Sequence, residues 1–153
     1  MLKQADSIHW HYSCITGCKL YGVHVTDQKQ NIRILILEQD TEFRNSLSRL
    51  LRRRGFDVFQ TAAFEETGEY GKKRQPALIL FGFEKPTSEN LEKVRGLMTR
   101  FPATPIILIT TFDRNELGDD IKNRAHIHIL NKPVKKDHLI QTLESLTLHN
   151  ARD

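Results

Sequence analysis

Nearly continuous runs of Ile, Leu, Val and Phe recur along this chain, each separated from the next by a stretch of different periodicity. They are Ile32–Leu37, Ala77–Phe81, Ile106–Ile109 and Ile127–Leu130. A strand without polar alternation has both faces buried, which is the mark of a parallel sheet covered on two sides. A weaker strand is expected at Asp57–Thr61, after Gly55. Between the runs the apolar spacing turns helical. Phe43, Leu47, Leu50 and Leu51 form one stripe, Leu91, Val94, Leu97 and Met98 a second, and Leu139, Leu143 and Leu146 a third. Asp40 or Thr41 suits the start of the first helix and Gly55 its end. Phe64–Lys73 and Asn115–Arg124 carry weaker stripes, each with a glycine that opposes helix.

The order is therefore βα repeated five times with short connections. Right-handed crossovers wind such a chain into a doubly wound five-stranded parallel sheet. In such sheets the working site lies beyond the carboxyl ends of the strands, near the reversal of strand order. That rule selects Glu38–Asp40, Gly82–Pro86, Thr110–Phe112 and Asn131–Pro133.

The remaining composition narrows the setting. With 153 residues, 39% hydrophobic and 27% charged, the chain has the size and balance of one globular domain. No apolar run exceeds that of Ala77–Phe81, far short of the ~20 residues needed to span a bilayer. The first thirty residues hold no apolar signal core, and Cys14 and Cys18 alone make no disulfide framework, so a cytoplasmic location is expected. The net charge of +4 is mild. Its one concentrated patch, Arg49 with Arg52, Arg53 and Arg54, reads as a solvated helix end favoured by the helix dipole.

The stretch from Arg33 to Leu146 resembles the receiver domain of bacterial two-component response regulators. The landmarks that carry the likeness are ArgIleLeuIleLeu followed by acidic residues, ProAlaLeuIleLeuPhe, ProIleIleLeuIleThr and a closing LysPro. The resemblance implies a flavodoxin-like (βα)5 fold and a cluster that passes a phosphoryl group to an aspartate at the end of the third strand. It also implies an acidic pair that holds Mg²⁺, a hydroxyl and a lysine for the phosphoryl oxygens, and a cis proline.

Carried over residue by residue, the match is partial. The acidic pair falls on Glu38 and Gln39, and the acceptor on Gly82, which has no side chain. Thr110 and Lys132 with Pro133 are kept, and the usual reporter aromatic falls on Ile129. A degenerate pocket is therefore expected, with no catalytic residue, metal or cofactor. Losing the acceptor side chain is expected to leave space near Thr110 and Lys132 where an anion can bind. Each retained residue also has a structural reading. Thr110 can cap nearby backbone, Lys132 can pair with Glu38, and Gly82 can permit a close approach.

Three organisational units are expected: an irregular, disordered extension at 1–30, a receiver-like domain at 31–149, and a tail at 150–153. Within the extension, His9, His11, Cys14, Cys18 and His24 have the residue types of zinc ligands but match no structural zinc spacing. A start of the true domain at or after Val25 is one reading of that region.

The functional expectation is a pseudo-receiver, acting by protein–protein interaction without aspartate phosphorylation and not as an enzyme. Its partner would be a sensor kinase or other signalling protein, with a homodimer possible and no direct nucleic-acid or membrane contact. The partner face would carry Asn115, Lys122, Arg124, His126, His128, Lys135, Lys136 and His138. The alternative is a working phosphorelay receiver with another acceptor such as Glu84. Nucleotide or flavin chemistry is unsupported, because no strand is followed by a phosphate-binding glycine motif.

Overall fold

A computed structural model describes residues 32–150. The expectations for 1–30, including the histidine and cysteine set, and for 151–153 lie outside those residues. The described chain runs β1 (Arg33–Leu37), α1 (Thr41–Arg53), β2 (Asp57–Thr61), α2 (Glu66–Lys73), β3 (Leu78–Gly82), α3 (Ser88–Arg100), β4 (Ile106–Thr110), α4 (Asp119–Lys122), β5 (Ile127–Asn131) and α5 (Lys136–Asn150). All strand pairs are parallel, in the order β2-β1-β3-β4-β5. This is the doubly wound, flavodoxin-like arrangement expected from the sequence.

Strand residues alternate between two cores. Ile34 and Ile36 point to one, with Leu47 and Leu51 of α1 and Leu139 and Leu143 of α5. Leu35 and Leu37 point to the other, with Val94 and Leu97 of α3 and Ile121 of α4. Both sets are at or near zero exposure, which explains why the runs show no polar alternation. Burying a leucine of this kind stabilises by roughly 1.5–3 kcal/mol.

Helix α1 starts where the Asp40 side chain accepts a hydrogen bond from Phe43 N at 2.9 Å. It ends before Gly55, whose φ of 88° belongs to the left-handed region open to glycine. Arg52 does not simply project into water, since its guanidinium donates to the Val58 carbonyl at 2.9 Å.

The expected helix over Asn115–Arg124 is corrected. Only a 3-10 turn at Arg114–Glu116 and the single turn of α4 are helical. Leu117 is drawn into the core, and both it and Gly118 take extended backbone (ψ 148° and 151°), which breaks the helix. Arg114 replaces the missing helical bonds. Its guanidinium donates to the carbonyl of Lys122 at 2.5 and 2.8 Å and to that of Ile127 at 3.3 Å.

Candidate functional site

The strand order reverses between β1 and β3, so their carboxyl ends border the crevice predicted by topology. Glu38 follows β1 and Gly82 closes β3. Here the structure places a side chain where the sequence suggested space. A Cβ built on Gly82 would overlap Glu38 Oε2 outright and lie 2.8 Å from its Cδ. The volume next to residue 82 is therefore filled by the carboxylate of Glu38. The close approach expected at this glycine exists, but a side chain makes it.

Glu38 is 4% exposed and held from several directions. Its backbone N donates to the Thr61 carbonyl at 3.1 Å, and its own carbonyl accepts from Arg44 at 2.6 Å. Oε1 accepts from Asp40 N at 3.0 Å. Oε2 has no hydrogen bond and lies 3.7 Å from Lys132 Nζ, so the expected pairing of these residues is present. Lys132 in turn sits 4.9 Å above the Phe43 ring, and the Lys132–Pro133 bond is cis.

Thr110 belongs to the core rather than to the crevice. It is fully buried, and its hydroxyl donates to the Phe112 carbonyl at 3.1 Å. Lys132 N donates to the Thr110 carbonyl at 2.7 Å, which fixes the lysine's backbone beside β4. Gln39 is exposed at the rim, as is Glu84, whose carbonyl accepts from the Thr111 hydroxyl at 2.9 Å. Of the expected residues, Glu38, Gly82 and Lys132 come together, Gln39 lines the same cleft at its exposed rim, and Thr110 supports from behind. The expected open space is corrected in part: a cleft lies beside Gly82 and Lys132, but Thr110 does not line it. Glu38 fills the Gly82 side, and the Thr110 hydroxyl is already satisfied.

Sequence reasoning missed Arg44 and Phe43. Arg44 clamps the turn after β1, and Phe43 supports the Lys132 ammonium. Phe43 was legible only as part of an apolar stripe, and Arg44 carried no signal beyond its place one helical turn after Asp40.

These groups do not fit Mg²⁺. The crevice floor offers one carboxylate, with an ammonium already beside its free oxygen, whereas the ion needs several oxygen ligands in octahedral array. Among the described residues no cluster of three or more His, Cys, Asp or Glu has metal-binding geometry.

A cleft of about 370 Å³ opens above this floor. Phe64 and Phe83 contribute its aromatic surface, and Lys85 stands at its rim.

The partner face expected from the sequence is divided. Lys136 borders a groove with Ser46, Arg49, Leu50 and Arg53 of α1, so it belongs to the α1–α5 side. His126, just before β5, and His128, on it, are half-buried. Burial lowers the pKa of both, with a smaller contribution from Arg124 for His126 and from Arg114 for His128. Among the described residues no helix is long and apolar enough to cross a membrane.

Residues 34–144 match the family described as response regulator receiver domain. The transcriptional regulatory protein PdtaR of Mycobacterium tuberculosis is 24% identical over 113 residues, covering 73% of this chain and 55% of that protein. The cell cycle transcriptional regulator CtrA of Caulobacter vibrioides is 26% identical over 117 residues, covering 75% and 50%. The chain thus spans about half the length of these curated relatives. Among solved structures, Vibrio cholerae chemotaxis protein CheY4 superposes with a TM-score of 0.63 at 22% identity, covering 75% of this chain and 98% of that one. A response regulator from Thermotoga maritima gives 0.61 at 15%, covering 76% and 97%. These likenesses support the fold, and the match over residues 34–144 supplies the rest: the chain belongs to the response regulator receiver domain family of two-component signalling.

Proposed function

We propose that this receiver takes no phosphoryl group and signals by binding other proteins, as a pseudo-receiver rather than an enzyme. The observation that carries the reading is the overlap between the Glu38 carboxylate and the side-chain position of Gly82. Glycine supplies no nucleophile, and the volume a replacement acceptor would need is taken. The floor also lacks the donor set for Mg²⁺, which would otherwise offset charge on a transferred phosphoryl group.

The binding role falls to the polar, basic surface around β5, carrying Lys122, Arg124, His126 and His128. Its charge suits an acidic protein surface, and the partner class is a sensor kinase or another signalling protein in the cytoplasm, or a second copy of this chain. Direct nucleic-acid contact is not part of this reading.

Incubating the chain with a small-molecule phosphodonor and Mg²⁺, followed by intact-mass measurement, tests it. The expected result is an unchanged mass. A stable gain of one phosphoryl group, mapped to Glu38, Glu84 or any other residue of the cleft, overturns the reading.

A further inference from the structure

Most of the described arginines are engaged. Arg33 and Arg74 hold Asp57, Arg95 holds Asp120, and Arg44, Arg52, Arg100, Arg114 and Arg124 each donate to a backbone carbonyl. Arg49, Arg53 and Arg54 are exposed, and their side chains make no hydrogen bond or ion pair among the described residues. Arg49 and Arg53 line a shallow groove between α1 and α5 with Ser46, Leu50 and Lys136. They also line a second, between α1 and the edge strand β2, with Asn45, Ser48, Arg52 and Gln60. No acidic residue lines either groove.

A solvated helix end accounts for only part of this. The helix dipole favours cations in the last turn, where Arg52 and Arg53 lie, and its effect fades beyond that turn. Arg49 stands one turn earlier. It and Arg53 are like charges at i and i+4, an unfavourable spacing. Lys136 opens α5, at the positive end of that helix's dipole. Both Arg49 and Lys136 are therefore placed against the local electrostatics, and one bound anionic group would relieve both.

The surroundings narrow the occupant. Leu50 is half-buried between the cations, so the groove has an apolar floor and basic walls. The basic surface is also short. Exposed Glu42 lies toward the start of α1, exposed Asp137 follows Lys136, and Asp57 lies beyond Arg54. A nucleic-acid backbone long enough to gain from several phosphates would run over those carboxylates. A peptide segment with carboxylates on either side of an apolar side chain fits between them.

We propose that the groove along α1 docks an acidic segment of a partner protein, with an apolar side chain on Leu50 and carboxylates on Arg49, Arg53 and Lys136. This site is separate from the surface around β5 and from the cleft beside Gly82. Its failure would leave the reading of those regions standing, and the intact-mass experiment does not bear on it.

The test is fluorescence anisotropy of the full chain with a labelled peptide of Glu and Leu in helical repeat. The peptide should bind, more weakly as salt rises. Arg49→Ser/Arg53→Ser should weaken it about fivefold or more, the scale of two exposed ion pairs. Lys73→Ser/Lys85→Ser removes the same charge from exposed positions away from α1 and should have little effect. The same peptide with Ser in place of Leu should bind more weakly to the parent. The proposal is overturned by no binding at millimolar peptide, by equal losses in the two variants, or by equal binding of the serine peptide. Tighter binding of a mixed-sequence oligonucleotide through the same arginines overturns it as well.

Discussion

Glu38 and Gly82, at the ends of adjacent strands, occupy one side-chain volume between them: the carboxylate of the first stands where the Cβ of the second would be. Gly82→Asp should therefore lower stability rather than restore a phosphorylation site. Overpacking of a tight site costs about 1–3 kcal/mol, and a second carboxylate beside the first adds repulsion. Urea denaturation of Gly82→Asp, compared with Gly82→Asp/Glu38→Ala, checks this. The second substitution should recover much of the loss by vacating the volume.

Lys132 is the one cation paired with the Glu38 carboxylate among the described residues. Lys132→Met should destabilise by about 1–3 kcal/mol, less than for a fully buried pair because the lysine side chain is 20% exposed. Adding Glu38→Gln to that variant should return part of the loss, since the stranded charge is gone. A double-mutant cycle from denaturation midpoints measures the coupling, and strictly additive losses would contradict it.

Two glycines of α2 should respond to alanine with opposite signs. At Gly71 a Cβ would lie 2.5 Å from Phe101 Cε1, in a ring that is 1% exposed and cannot withdraw. Overpacking of about 1–3 kcal/mol then exceeds the gain of about 1 kcal/mol from better helix propensity. At Gly68 the nearest atom is Arg100 Cζ at 3.2 Å, the movable end of an exposed side chain. Thermal melts should place Gly71→Ala below the parent and Gly68→Ala at or above it.

His126 and His128 make stability depend on pH. Burial depresses both pKa values below the ordinary value of 6.5, so the unfolded chain binds protons more readily there. Their contribution is complete above about pH 6.5 and is lost as pH falls through the window between the unfolded and the folded value. Denaturation midpoints between pH 7.5 and pH 5.5 should fall more steeply in the parent than in His126→Gln/His128→Gln.

The sequence carried most of the architecture because the architecture is set by local signals. Asp57–Thr61 was placed by Gly55 before it, and Asp40 announced the start of α1 by its capping chemistry. The helix around Leu117 failed because its stripe was real but served another purpose: Leu117 is buried from an extended segment, and Gly118 after it needs no helical backbone. At the site, the missing side chain of Gly82 was plain to read. That Glu38 would enter the gap was not, because it depends on β1 lying beside β3 and on a rotamer fixed by Asp40 N. Thr110 was legible as a capping threonine, and the structure gives it that role through Phe112.

The single turn of α4 leaves the stretch between β4 and β5 shaped mainly by one guanidinium that gathers the Lys122 and Ile127 carbonyls. A partner arriving on that side meets a clasp instead of a rod. Any anionic group brought to that side would have to compete with the peptide oxygens that already hold Arg114.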